Sequence, residues 1–362
     1  MYPTPQQYSP VAPYETPRRR RLSFGPFLVV LPLVLFAGLF FGLSFLASPE
    51  PDIEVQQGVG HARVQGRDVV LVPYARHGAR GMFQLIFRDM FQVRLSATDP
   101  ATGESLWDTQ LSDELIWEAD VLGAGDKYAY VATDSGLRIL DLADGDLVAQ
   151  GDGITGLGSG YVAARGAYAY DPEGGRVLAM NANGDVLAIP VDQTAAAPVD
   201  QATAAAWVGR LTTDHKTVRY DTTKREAAVD GGQLVVRERP NGAPGKVLVR
   251  VAADGQETPV GDAAFQNASI VVDGDRAAGA AAGSVLVHHQ RSVNDKGWAV
   301  SLVSLATGQV TGTQPVASSL TRVLTTPDGG TLVTTDDGVL TARDGKLTAL
   351  AVGATDFFGS PS

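Results

Sequence analysis

The chain has 362 residues, 44% hydrophobic and 19% charged, with 41 Gly, 20 Pro, no Cys and a net charge of −11. So much apolar material excludes chain-wide disorder, and the missing cysteines exclude disulfides, thiolate metal sites, a cysteine nucleophile and a lipoprotein attachment cysteine. The first 47 residues carry +3 and the remainder −14, a polyanion that phosphate backbones repel, which argues against nucleic acid as a partner.

Residues 1–17 hold five Pro, three Tyr and no apolar period. With Arg18, Arg19, Arg20 and Arg21 they form segment 1–21, expected to be a disordered, polyproline-like cytoplasmic tail. From Phe24 to Ala47 stand 24 residues without a charge, enough at 1.5 Å per residue to cross the ~30 Å hydrocarbon core. Segment 22–47 is therefore predicted to be a transmembrane helix, with Pro26 in its first turn and Pro32 at a kink. The arginines just before it keep the N-terminus in the cytoplasm and place the main domain outside, an integral protein of one span in the cell membrane. A cleaved signal peptide is the alternative. Its apolar region is usually shorter and ends in a small-x-small site, whereas here Phe45 stands two residues before Ala47. Arg20-Arg21-Leu22-Ser23-Phe24 fits twin-arginine export only loosely.

Residues 48–57, with Pro49-Glu50-Pro51, read as a linker to a domain over 58–362. Strand signals then recur at Val69–Tyr74, Tyr128–Thr133, Leu137–Leu142, Val177–Met180, Leu234–Arg237, Val247–Val251, Val300–Leu305 and Leu332–Thr335. Each is a short alternating or β-branched run closed by Gly, Asp or Asn, so the domain is expected to be all-β. Turn pairs end at Gly103, Gly145, Gly184, Gly255, Gly308 and Gly345, at intervals of 42, 39, 71, 53 and 37. A second glycine, at 136, 175, 245, 297 and 338, precedes the last five by 9, 9, 10, 11 and 7 residues. Paired hairpin turns repeating near forty residues describe a four-stranded meander used repeatedly, and radial closure buries both faces of each copy. The expected architecture is a β-propeller of six blades. Seven stays open, because the 71-residue interval has room for another copy. Within it, Ala195-Ala196-Ala197-Pro198 and Ala204-Ala205-Ala206 read as a loop or short helix leading to Trp207.

The stretch Gly125-Asp-Lys-Tyr-Ala-Tyr-Val-Ala-Thr-Asp-Ser-Gly-Leu-Arg-Ile-Leu-Asp-Leu-Ala-Asp-Gly-Asp-Leu-Val148 resembles a blade of the quinoprotein-type (PQQ-like) propeller repeat. Asp99-Pro-Ala-Thr-Gly-Glu-Ser-Leu-Trp107 is similar to its Asp-x-x-Thr-Gly-x-x-x-Trp ending, and Thr331–Leu347 is a weaker third copy. The likeness runs unevenly over 67–352 and is poor over 193–228. It implies a propeller scaffold. The family's dehydrogenases use a vicinal cysteine pair, a tryptophan platform and calcium-binding carboxylates over eight blades. This chain has no cysteine and only Trp107, Trp117, Trp207 and Trp298, so no cofactor is expected.

Other motifs have plain readings. Gly151-Asp-Gly-Ile-Thr-Gly156 matches a dinucleotide fingerprint by letter, but no helix pattern follows it, so it reads as a loop between blades and no nucleotide is expected. Asp141, Asp144 and Asp146 are explained by a hairpin turn, not by a calcium loop, and Asp336-Asp337-Gly338 likewise. Of His61, His77, His215, His288 and His289 only the last two are adjacent, and neighbours on one strand point to opposite faces. No metal and no catalytic residues are assigned.

The first copy departs from the rhythm, its glycines 81 and 103 lying 22 apart. The insertion carries Met82, Phe83, Phe87, Arg88, Met90 and Phe91, an apolar and basic segment in an acidic domain, suited to an interface with a partner or membrane. The alternative is a lengthened hairpin packed on its own blade. The expected function is a non-enzymatic, membrane-anchored, extracytoplasmic scaffold that binds an envelope protein or component. The competing expectation is a channel-mouth hydrolase or lyase acting on envelope glycan. Convergent carboxylates or histidines at the channel opening would favour the enzyme; an opening of Ala, Gly, Val and Thr would favour binding.

Overall fold

The chain reverses where the glycine pattern places its turns. Gly103, Gly145, Gly184, Gly255, Gly308 and Gly345 all have positive φ, between +70° and +84°, a region that Gly enters without steric cost. A computed structural model describes residues 25–47, 51–78, 90–213, 219–316 and 319–353, with the backbone alone at 25–29, 41, 44–47 and 241.

Between those turns lie six antiparallel meanders. The first holds β1 (Asp52–Val55), β2 (Gly60–Val64), β3 (Arg67–His77), β4 (Phe91–Thr98) and β5 (Ser105–Ser112). Both β1 and β2 pair with β3 and act as one inner strand with a break at 56–59. β1 starts inside the stretch read as linker. The second comprises β6 (Ala119–Ala124), β7 (Tyr128–Thr133), β8 (Gly136–Asp141) and β9 (Leu147–Gln150). The third comprises β10 (Tyr168–Asp171), β11 (Arg176–Met180), β12 (Val186–Pro190) and β13 (Ala197–Pro198).

A ten-stranded sheet contains the next two meanders. One is β15 (Glu226–Val229), β16 (Gly232–Glu238), β17 (Lys246–Ala252) and β18 (Glu257–Pro259). The other is β19 (Gln266–Asp273), β21 (Ser284–Gln290), β22 (Trp298–Ser304) and β23 (Val310–Val316). Short β20 (Arg276–Ala277) joins them, and β14 (Thr223–Lys224) adds to β19. The sixth is β24 (Leu320–Thr325), β25 (Thr331–Thr335), β26 (Gly338–Arg343) and β27 (Lys346–Leu350). The protein is thus mostly β, in curled sheets of the propeller kind. Between β13 and β14 the described residues hold one short helix, α2 (Gln201–Trp207), capped by the Asp200 side chain on the Thr203 N–H.

Apolar cores form where neighbouring meanders face one another. Leu71, Leu95 and Trp107 of the first meet Val131 and Leu140 of the second. Further clusters join the second to the third, the fourth to the fifth and the fifth to the sixth. Val70 and Val72 meet Leu332, Val339 and Leu350, which brings the last meander onto the first. Among the described residues no such cluster joins the third to the fourth.

α1 (Gly25–Ala47) is helical over 23 uncharged residues with Pro32 inside. Among the described residues no helix is long and apolar enough to cross a membrane. The span expected over 22–47, and the single-pass topology built on it, are not carried by those residues. Val30, Leu31, Leu33, Val34 and Leu35 of this helix are each more than half exposed.

Candidate functional site at the axial mouth

Strands β6 and β24 begin beside the end of β1, where Glu54 and Val55 close that strand and Gln56 follows. They surround a cavity of about 300 Å³ lined by Glu54, Gln56, Ile116, Asp120, Arg165, Tyr220 and Asp336, among others. A more open groove of about 670 Å³ continues from it past Glu114, Trp117, Asp134 and Tyr161. The site uses ends of strands and the loops before them, where binding residues commonly sit.

Arg165 occupies the centre, its side chain 10% exposed. Its Nε donates to Asp134 Oδ1 at 3.0 Å and its Nη1 to Asp120 Oδ2 at 3.1 Å, while Nη2 pairs with Glu118. Burial opposes the charge, but Asp120, Glu118 and Asp134 hold the guanidinium more firmly protonated than usual. Burial pushes the Asp120 carboxyl up, with Arg165 and Arg322 pulling the other way. The side chain keeps 35% of its exposure, so solvent damps that push. Across the cavity Arg322 lies 3.6 Å over the Tyr220 ring, an approach that suits a guanidinium on an aromatic face.

The loop leading to β6 is held from below. Trp117 is buried and donates from Nε1 to Ser135 Oγ at 3.0 Å, and Gln56 Nε2 donates to Trp117 O at 2.9 Å. Holding Trp117 down turns its predecessors outward. Ile116 is 87% and Leu115 57% exposed, at the rim of the cavity.

Of the insertion, Met82, Phe83, Phe87 and Arg88 lie outside the described residues, as do Arg18, Arg19, Arg20 and Arg21. Met90 and Phe91 are described, 49% and 39% exposed, at the base of the β3–β4 hairpin where the Gly78 N–H donates to Met90 O at 2.7 Å. Phe91 lies edge-on to His77, itself part of the mouth. Asp141 and Asp144 accept turn N–H groups from Ala143 and Asp146, and Gly151–Gly153 is a single 3-10 turn between the second and third meanders. His288 stacks on Trp298 at 4.5 Å, whereas His289 packs on Phe265 and contacts Ser301 Oγ at 2.8 Å. Among the described residues no group of three His, Asp or Glu side chains is placed to hold a metal ion.

Sequence reasoning missed Arg165 and its three carboxylates, which precede it by 31 residues at Asp134, 45 at Asp120 and 47 at Glu118. Only Asp113-Glu-Leu-Ile-Trp-Glu118 carried a local signal: two adjacent aliphatics in an acidic loop.

No family model and no curated protein matches the chain. Matches to solved structures are remote. BamB from Moraxella catarrhalis is 15% identical over 79% of this chain and 82% of its own, at a TM-score of 0.27. A puromycin hydrolase is 17% identical over 85% of this chain and 48% of its own, at 0.25. Regucalcin from Agrobacterium tumefaciens, a calcium-binding protein, is 14% identical over 73% and 77%, at 0.23. Likenesses this remote leave fold and function to be argued from the chain's own residues.

Proposed function

We propose that the protein is a non-enzymatic binding scaffold, a six-bladed propeller held at the cell membrane by α1, whose axial mouth docks another protein of the envelope. The observation that carries this reading is Ile116, 87% exposed beside Leu115 at the rim of the cavity. Its loop is fixed by buried Trp117, so the exposure is built in, and aliphatic side chains fixed at a cavity rim mark interaction sites. Arg165 speaks for the same role, because each of its donor nitrogens already faces a carboxylate. Support for the anchor is α1, uncharged over 23 residues, preceded in the sequence by Arg18–Arg21. Support for six blades is the set of six meanders and the contact of the last with the first. Crosslinking in intact cells, followed by mass spectrometry of what is attached to the outer domain, tests it. A reproducible envelope protein is expected; recovery of the chain alone overturns the scaffold.

A channel-mouth glycan hydrolase is the second reading, favoured by one observation. Carboxylates do converge at the opening, and burial pushes Asp120 toward a protonated acid, as a general acid paired with a second carboxylate requires. Turnover of peptidoglycan fragments that disappears in Asp120→Asn would establish it, and no turnover by the full chain removes it.

A further inference from the structure

Chain connectivity sets which end of the ring lies toward the membrane. α1 ends at Ala47 and β1 begins at Asp52, and five residues of chain reach at most about 17 Å. Asp52 pairs with His77, and His77 with Phe91. Two residues further, Glu54 already lines the mouth. The start of β1, the exposed Met90 and Phe91, and the cavity with Leu115 and Ile116 therefore share one end. The turn at Gln65–Gly66 is at the other, nine strand residues away through β1 and β2, roughly 30 Å at the rise of a strand.

Charge selects what meets that end. Six carboxylates, Glu54, Glu114, Glu118, Asp120, Asp134 and Asp336, line the cavity and groove, against Arg165 in the lining and Arg322 beside it on Tyr220. Three are occupied by Arg165; Glu54 lies 3.7 Å from His77 Nε2 and Asp336 accepts from Ser319 Oγ at 3.4 Å, so Glu54, Glu114 and Asp336 have no Lys or Arg partner among the described residues. Anionic lipid headgroups are repelled by such a rim, and cationic side chains are drawn to it. Leu115, Ile116, Met90 and Phe91 supply the apolar contact.

We infer that the axial mouth faces the bilayer and docks a cationic, aliphatic segment that an integral membrane protein presents at the membrane surface. Lys or Arg of that segment meets Glu54, Glu114 and Asp336, and its aliphatic side chains cover Ile116 and Leu115. The inference rests on reading α1 as the span and on the scaffold function above.

The chain lacks native cysteine, so single thiols report position cleanly. Ile116→Cys, Phe91→Cys and Gln65→Cys, each labelled with bimane in the full chain, are reconstituted in phosphatidylcholine vesicles containing lipid with a nitroxide headgroup. Quenching at positions 116 and 91 at least about twofold stronger than at 65 is expected, since collisional quenching needs contact. Equal quenching at all three, or the strongest at 65, overturns the facing. Photo-crosslinking from position 116 in intact cells then identifies the attached peptide, expected to be a Lys/Arg-rich stretch within about 20 residues of a membrane span. An acidic peptide, a peptide from a soluble protein, or no adduct overturns the partner. Alkaline extraction separates the premise from the inference. Release of the chain into the supernatant removes the anchor, whereas a retained chain quenched only at 65 leaves the anchor standing and removes the facing.

Discussion

Arg343 on β26 donates from Nη2 to Asp68 Oδ2 at 2.8 Å across 275 residues of sequence, so a side chain of the last meander closes on the first. The same guanidinium reaches Asp328 Oδ2 at 2.5 Å. Hydrogen bonding to Arg343 is the main force holding the Asp68 carboxyl below its ordinary range, with burial working against it. Arg343→Met takes this cation from both carboxylates and leaves Arg63 as the remaining arginine on Asp68; with the Arg343 side chain 36% exposed and so screened by solvent, we expect a loss of about 1 kcal/mol, read as a fall in Tm. The pH dependence has a definite sign. A depressed carboxyl contributes its stability above the unfolded value near 4 and loses it as pH falls through the folded one. The Tm gap between wild type and Arg343→Met is therefore largest at neutral pH and narrows below about pH 4. An unchanged gap across that range contradicts the assignment.

Trp107 ties the first meander to the second. Its Nε1 donates to Leu142 O at 2.8 Å, and its ring lies over Gly145, where a Cβ would come within 2.6 Å of Cε3. Gly145 also stands at φ +78°, so Gly145→Ala meets both a strained backbone and the indole. We expect about 2 kcal/mol lost in Gly145→Ala and about 1 kcal/mol in Trp107→Phe, which keeps an aromatic ring but loses the hydrogen bond and part of the indole's packing. Chemical denaturation of the two variants measures both losses. A Trp107→Phe variant as damaged as Gly145→Ala would show that packing, not the bond, is what Trp107 supplies.

These two contacts mark how far the sequence could be read. The hairpin turns were legible because positive φ selects Gly, and all six turn glycines named from spacing alone have it. Gly184 nevertheless sits one strand early, between β11 and β12. The last turn of the third meander is made by Asp192, a non-Gly residue at φ +63°. That substitution of Asp for Gly distorted the rhythm to 39 and 71 residues. Asp192 is there for a tertiary reason: its carboxylate accepts from the Asp126, Lys127 and Tyr128 N–H groups of the second meander. The mouth was not legible at all beyond Asp113–Glu118, because Arg165 finds its carboxylates only once the ring brings separate loops together.

His288 supplies a pH test away from the mouth. Burial against Trp298, with His289 adding to it, lowers its pKa to about 4. A buried neutral histidine is protonated first in the unfolded chain, so folding stability is complete above the unfolded value of about 6.5 and is lost as pH falls toward 4. We expect His288→Phe, which preserves the stack on Trp298, to flatten the stability profile between pH 6.5 and 4 by an amount on the order of 3 kcal/mol. His289 is also held low by burial, so some slope remains. Urea titrations at closely spaced pH values read the slope directly, and identical slopes for wild type and variant contradict the burial account.

Ile116 and Arg165 lie in one loop cluster and predict opposite phenotypes. Ile116 is 87% exposed, so Ile116→Ser removes nothing the fold uses and should change stability by no more than about 0.5 kcal/mol. Its cost falls on recognition instead, because a polar side chain at the rim no longer gives a partner's aliphatic groups a dry contact. Arg165 is the reverse. Arg165→Met strips the cation from Glu118, Asp120 and Asp134 together, and the repulsion left behind should cost about 3 kcal/mol. Thermal melts beside in-cell crosslinking yield both readouts from the same samples. Normal melting with lost partner capture in Ile116→Ser, against lowered melting in Arg165→Met, separates the surface that binds from the ion cluster that builds it. A destabilised Ile116→Ser would instead return the loop to the packing of its own ring.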